Sequence, residues 1–127
     1  MTAEPASTRP RGRQDRTDPQ AESVAPVGAG GQHARHRLDE VIHAPVRLSI
    51  VSALARVDEA QFGAVRDALE VADSVLSKQV ATLEAAGYVK VRKGYVGKRP
   101  RTWLSLTSTG RTALQAHVAA LREIAGE

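Results

Sequence analysis

The sequence predicts a mainly α-helical domain carrying one small β-hairpin, preceded by a disordered tail. Three observations lead there. Apolar residues recur at helical spacing in successive segments between Leu38 and Ile124. Two short runs, 89–93 and 102–106, alternate instead and suit β-strands, with Gly94 and Gly97 marking a reversal between them. Residues 1–36 hold four of the six prolines, the run Gly28-Ala29-Gly30-Gly31 and almost no large apolar side chain beyond Val24 and Val27. Such a stretch buries too little surface to offset its ordering entropy and is expected to be disordered.

Leu38, Val41 and Ile42 form a first short apolar stripe. Pro45 fits the first turn of a second helix, where its missing N–H costs nothing, and Val46, Ile50, Val51 and Leu54 carry the periodicity to Ala55. Arg47 falls inside that arc and is expected to pair with an acid such as Asp39 or Glu40. After a polar turn at Asp58-Glu59, Phe62 either starts a brief strand or staples the next helix, with Gly63 as its cap. Ala64, Val65, Ala68 and Leu69 give a two-turn helix ending near Glu70. A tight connection leads to a helix from about Ser74 to Ala86, with Leu76, Val80 and Leu83 as its buried stripe and Gly87 as its terminator. Its opposite face collects Ser74, Lys78, Ala81, Thr82 and Ala85.

In the hairpin, Val89 and Val91 face the core, Lys90 and Arg92 face out, and Leu104 and Leu106 oppose Trp103 and Ser105. Trp103 packs against a second copy of the chain or over the hairpin stem, and Pro100 precedes the paired part of its strand. Thr107 caps a last helix running to about Ile124. There Leu114, Val118, Leu121 and Ala125 make one stripe, widened by Ala113, His117, Ala120 and Ile124. Two adjoining apolar surfaces let this helix cover its own domain and also meet a second copy. Leu114, His117, Val118, Leu121 and Ile124 are the expected homodimer contacts, His117 being a packed neutral histidine. The domain reading is tail 1–36, core domain 37–106 and dimerisation helix 107–127.

Charge points to the partner. The chain carries a formal +4, yet half of the twelve basic residues after position 37 lie in the ribbon 90–101, which has no acid. A bent ribbon with a cationic tip suits a polyanion groove. The helix pair ending at Ala86 has a three- to four-residue turn and a small, polar outer face on its second helix, which fits a helix-turn-helix. A strand and basic hairpin directly after it make the arrangement a winged helix-turn-helix. A protein-interaction module without DNA readout is the alternative; RNA binding lacks an aromatic stacking platform. Cysteine is absent, which excludes disulfides and thiolate metal sites. The His33/His36 pair lacks a third ligand, and no nucleophile has a plausible base, so no cofactor, metal or enzymatic activity is expected. No apolar run approaches the roughly 20 residues of a membrane span, and a cytoplasmic protein with no membrane partner is expected.

The stretch Leu38–Ile124 resembles the winged-helix domains of small MarR-like bacterial transcriptional regulators. The resemblance rests on His43-Ala44-Pro45-Val46-Arg47-Leu48, on Leu76-Ser77-Lys78-Gln79-Val80 with Leu83-Glu84-Ala85-Ala86-Gly87-Tyr88-Val89, on Gly94 with Lys98-Arg99-Pro100-Arg101-Thr102, and on Leu106-Thr107 with Gly110-Arg111. It implies a homodimer bound to double-stranded DNA, with a recognition helix in each of two successive major grooves and wings on the flanking minor grooves. Carried over by position, Ser74, Val75, Ser77, Lys78 and Thr82 face DNA from the helix, and Arg99 and Arg101 from the wing; Lys93 and Lys98 join them as ribbon cations. Ala72 stands where the family often has a Ser or Thr cap, so Asp73 is expected to cap instead. The resemblance implies an effector pocket between longer flanking helices and the wing domain; only one C-terminal helix is evident here, so a small-molecule effector is not expected.

Overall fold

The computed structural model describes residues 31–127 of the chain. The expected disorder of the tail therefore lies outside the described residues up to position 30. A compact unit spans Ala34–Glu127, so residues 34–37 and the last helix share one body with the helix-turn-helix. Ala34–Arg37 form a short 3-10 helix against the last helix, and Ala34 is fully buried.

Asp39 accepts hydrogen bonds from the Val41 and Ile42 N–H groups and so starts α1 (Glu40–His43). Pro45 opens α2 (Pro45–Leu54) at its first position, as its fixed φ favours. Then come β1 (Ala60–Gln61), α3 (Phe62–Leu69), α4 (Asp73–Ala85), β2 (Val89–Val96), β3 (Arg99–Leu106) and α5 (Ser108–Ala125). Ile42, Ile50, Val51, Leu54, Val65, Leu76, Val80, Leu83, Val89, Leu104 and Leu114 make the core. It is aliphatic, and every α-helix and strand contributes to it or packs on it.

Several local expectations are corrected. The sheet has three antiparallel strands in the order β1-β3-β2, with Ala60 opposite Leu104 and Gln61 opposite Trp103. A two-residue strand is too short to leave a periodic signal. Phe62 is the first residue of α3, Gln61 stands at the N-cap without a side-chain bond, and Gly63 lies inside the helix. The chain leaves α3 through Glu70 in the left-handed conformation (φ 58°), normally a glycine position. The N-cap of α4 is Ala72, without a side-chain bond; Asp73 does not cap but lies in the first turn.

The hairpin is longer than the alternation implied. Val96 pairs with Arg99, leaving Gly97-Lys98 as a two-residue turn with Gly97 at φ 62°. Gly94 belongs to β2, where a Cβ would sit 3.1 Å from the Trp103 ring. Pro100 lies within the paired part of β3, opposite Tyr95. A two-residue turn makes this a non-hydrogen-bonded pair, and β1 reaches only Trp103 and Leu104 on the other edge, so the missing N–H is tolerated.

Candidate nucleic-acid interface

The outer face of α4 is open. Leu76, Val80 and Leu83 point into the core, while Ser74, Val75, Ser77, Lys78, Ala81, Thr82 and Ala85 are exposed. Small side chains allow close approach to a groove floor, and the Thr82 hydroxyl donates to the Lys78 carbonyl (3.2 Å), leaving its lone pairs free to accept. Val75 is 40% exposed in the first helical turn, an apolar surface suited to a thymine methyl group.

α4 is held from behind by Arg47. Its Nε donates to the Val41 carbonyl (2.5 Å) and its Nη1 to Gln79 Oε1 (2.8 Å). The expected acidic partner for Arg47 is therefore replaced by a backbone carbonyl and an amide, tying α1 to α4. Acidic side chains near the helix start are neutralised by Arg66, which bonds Asp67 and Asp73 at 2.9 Å each. Those bonds push the Arg66 pKa up. Asp73 thus presents a paired carboxylate, and the repulsion it would exert on phosphates is reduced.

The register divides the wing into two faces, because directly opposed residues point the same way. Lys93 and Thr102 face α4 with Val91 and Leu104. They line a groove of about 370 Å³ with Ser77, Ala81 and Glu84 from the helix. Arg99 and Arg101 share the other face with Trp103 and Arg92. Among the described residues no ion pair engages Lys78, Lys93, Lys98, Arg99 or Arg101. The structure thus brings Ser77 and Lys93 to one groove and sets Arg99 and Arg101 on the opposite face of the ribbon, outside that groove, with Lys98 in the turn.

Arg92 leaves the set of open cations. It binds Glu59 through two hydrogen bonds, at 2.8 and 2.9 Å, and lies 4.2 Å over the Trp103 ring. Its hydrogen bond to Glu59 holds that carboxyl below its usual range. Trp103 therefore packs over the hairpin stem. Both the Glu59 pairing and the Arg66 clamp join segments apart in the chain, and no local signal announces either.

The last helix divides its expected contact residues. Leu114 and His117 are buried within their own domain, whereas Val118 and Leu121 are partly covered and Ile124 is exposed. His117 Nδ1 accepts the Asp39 N–H at 3.0 Å, so the neutral ring carries its proton on Nε2. Burial first, then His43 packed edge-on at 5.4 Å, lowers the His117 pKa. The carboxylate of Asp39 also accepts the Tyr88 hydroxyl (2.5 Å), joining α1, α5 and the segment after α4.

Residues 46–125 match the family described as "winged helix DNA-binding domain". The chain belongs to that family. The transcriptional regulator homologue of Pyrococcus horikoshii is 26% identical, with a TM-score of 0.65 over 69% of this chain and 87% of that one. YusO of Bacillus subtilis shares the fold at 18% identity, with a TM-score of 0.58 over 92% of this chain and 82% of its own. An uncharacterized protein of Methanocaldococcus jannaschii is 24% identical over 79 residues, 62% of this chain and 86% of that protein. The winged helix-turn-helix expected from the sequence is the fold these comparisons support, and the chain carries a winged-helix DNA-binding domain. No helix among the described residues is long and apolar enough to cross a membrane.

Proposed function

We propose that this winged-helix protein is a sequence-specific, homodimeric regulator of double-stranded DNA, acting as a repressor. Each protomer lays α4 in a major groove and its wing on the neighbouring minor groove. The observation that carries this reading is the open face of α4 beside a ribbon in which Lys93, Lys98, Arg99 and Arg101 make no ion pair among the described residues. Lys93, Lys98, Arg99 and Arg101 supply phosphate contacts and most of the affinity; Ser74, Val75, Ser77, Lys78 and Thr82 discriminate between base edges. Homodimerisation rests on the part of α5 left uncovered, Val118, Leu121 and Ile124; Leu114 and His117 serve the interior.

The test is the salt dependence of duplex binding. Log affinity falls by about 0.9 per neutralised phosphate for each decade of salt. Arg99→Ala with Arg101→Ala removes up to two contacts per protomer. The slope of the dimer should then flatten by up to roughly 3–4, while the preferred sequence is kept. Lys78→Ala should instead change the sequence recovered from a random pool. An unchanged slope in the double variant refutes the wing's part, and absence of duplex binding at low salt favours the protein-interaction alternative.

A further inference from the structure

We propose that Tyr95, with Val96 beside it, is an apolar wedge that the wing inserts into the minor groove at a deformable base step. The inference rests on the reading of the wing as a DNA contact. Tyr95 is 71% exposed and Val96 51% exposed. They are consecutive strand residues, so they point to opposite faces and make both sides of the tip apolar. Lys93 and Lys98 to Arg101 surround them with positive charge.

Packing does not account for these two side chains. Tyr95 lies four residues beyond Val91, the last β2 side chain on the core, or about 13 Å along the strand. Its cross-strand partner is Pro100, and that contact still leaves most of the ring in solvent. A tip that needed only solubility or edge protection would be polar throughout. Aromatic and aliphatic side chains set among unpaired cations fit a ligand that is anionic outside and apolar within, which describes the walls and floor of a DNA groove. The minor groove is about 6 Å wide, so side chains at a turn enter it more readily than a ribbon with strands about 4.8 Å apart.

The stem is built to hold such a wedge. Arg92 is fixed between Glu59 and the Trp103 ring, and Gly94 lets that ring lie close on the ribbon. The two-residue turn ends the hairpin directly beyond Val96, so only Gly97 and Lys98 lie past the pair. Opening a base step costs stacking energy, and a stiff support delivers the wedge without first having to be ordered. Pyrimidine–purine steps unstack most easily. Tyr95 therefore contributes to specificity at positions where no hydrogen-bonded readout is needed.

The experiment uses the full chain and a duplex it selects from a random pool, with 2-aminopurine placed in turn at each position flanking the major-groove contacts. Wild type and Tyr95→Phe should raise the fluorescence at one flanking pyrimidine–purine step. Tyr95→Ala should abolish that rise and weaken binding about 10-fold, with an unchanged salt slope, because no charge is lost, and unchanged thermal stability. Selection with Tyr95→Ala should lose the preference for the step. No rise with the wild type, or an equal rise and affinity with Tyr95→Ala, overturns the wedge. If Arg99→Ala/Arg101→Ala still flattens the salt slope in that case, the wing keeps its DNA contact; if neither variant has an effect, both readings fail together.

Discussion

Gly110→Ala separates local from tertiary control of stability, because the two predict opposite signs. Gly110 lies in the first turn of α5, and its N–H is capped by Thr107 Oγ1 at 2.9 Å. Helix propensity alone favours alanine there by about 1 kcal/mol. The structure says otherwise. A Cβ would press on the Tyr88 carbonyl oxygen and come within 2.8 Å of Leu106 Cδ1 and 3.0 Å of the Tyr88 carbonyl carbon. The Tyr88 carbonyl cannot yield easily, since it accepts the Thr107 N–H (3.0 Å) and hydroxyl (3.2 Å). Overpacking of this kind costs about 1–3 kcal/mol, and the upper end applies where backbone must shift. Set against the propensity gain, the variant should lose about 1–2 kcal/mol, or roughly 5–10 °C in Tm for a domain of this size. Urea and thermal unfolding at fixed protein concentration measure the loss. A Gly110→Ala variant as stable as wild type, or more so, would refute the claim that close approach of α5 to the end of α4 dictates this residue.

Three further outcomes follow from the same contacts. Arg66→Ala leaves Asp67 and Asp73 without their counter-charge beside the phosphate path, so duplex affinity by fluorescence anisotropy should fall several-fold; adding Asp73→Asn should recover much of it. Arg47→Ala removes donors to the Val41 carbonyl and Gln79 and should cost about 1–3 kcal/mol in denaturant unfolding; Arg47→Lys cannot reproduce the planar fork and should rescue poorly. His117 has its folded pKa below its ordinary value, so the unfolded chain takes up the proton first as pH falls. Its contribution is complete above about pH 6.5 and declines below it, by at most about 1.4 kcal/mol per pH unit; His117→Gln, which keeps an acceptor for the Asp39 N–H, should flatten the decline in stability measured between pH 7 and 5.

The open face of α4 was legible because it is written locally. Leu76, Val80 and Leu83 mark the buried side of α4, so Ser74, Lys78 and Thr82 had to lie outside. The alternation of Tyr88 to Arg92 likewise assigned Val89 and Val91 to the core. Asp73 was misread because a carboxylate at a helix start fits both a cap and an ion pair, and Arg66, seven residues earlier, decides between them. Arg92 looked like one more wing cation until Glu59, 33 positions away, was brought beside it. β1 escaped notice since two residues carry no period, and Gly94 passed for turn chemistry when its task is to admit Trp103.

What the sequence by itself determined is the kind of domain: helices and hairpin in winged-helix order, an aliphatic core and a concentrated basic ribbon. Periodicity and composition report which face of each segment leaves water, and that is a property of the segment alone. The tertiary structure decided which charges stay available. Arg92 and Arg66 are neutralised by partners, whereas among the described residues Lys93, Arg99 and Arg101 make no ion pair, on two different faces of the wing. Ion pairs and buried hydrogen bonds depend on distances of a few ångströms between residues remote in the chain, and no local pattern encodes them.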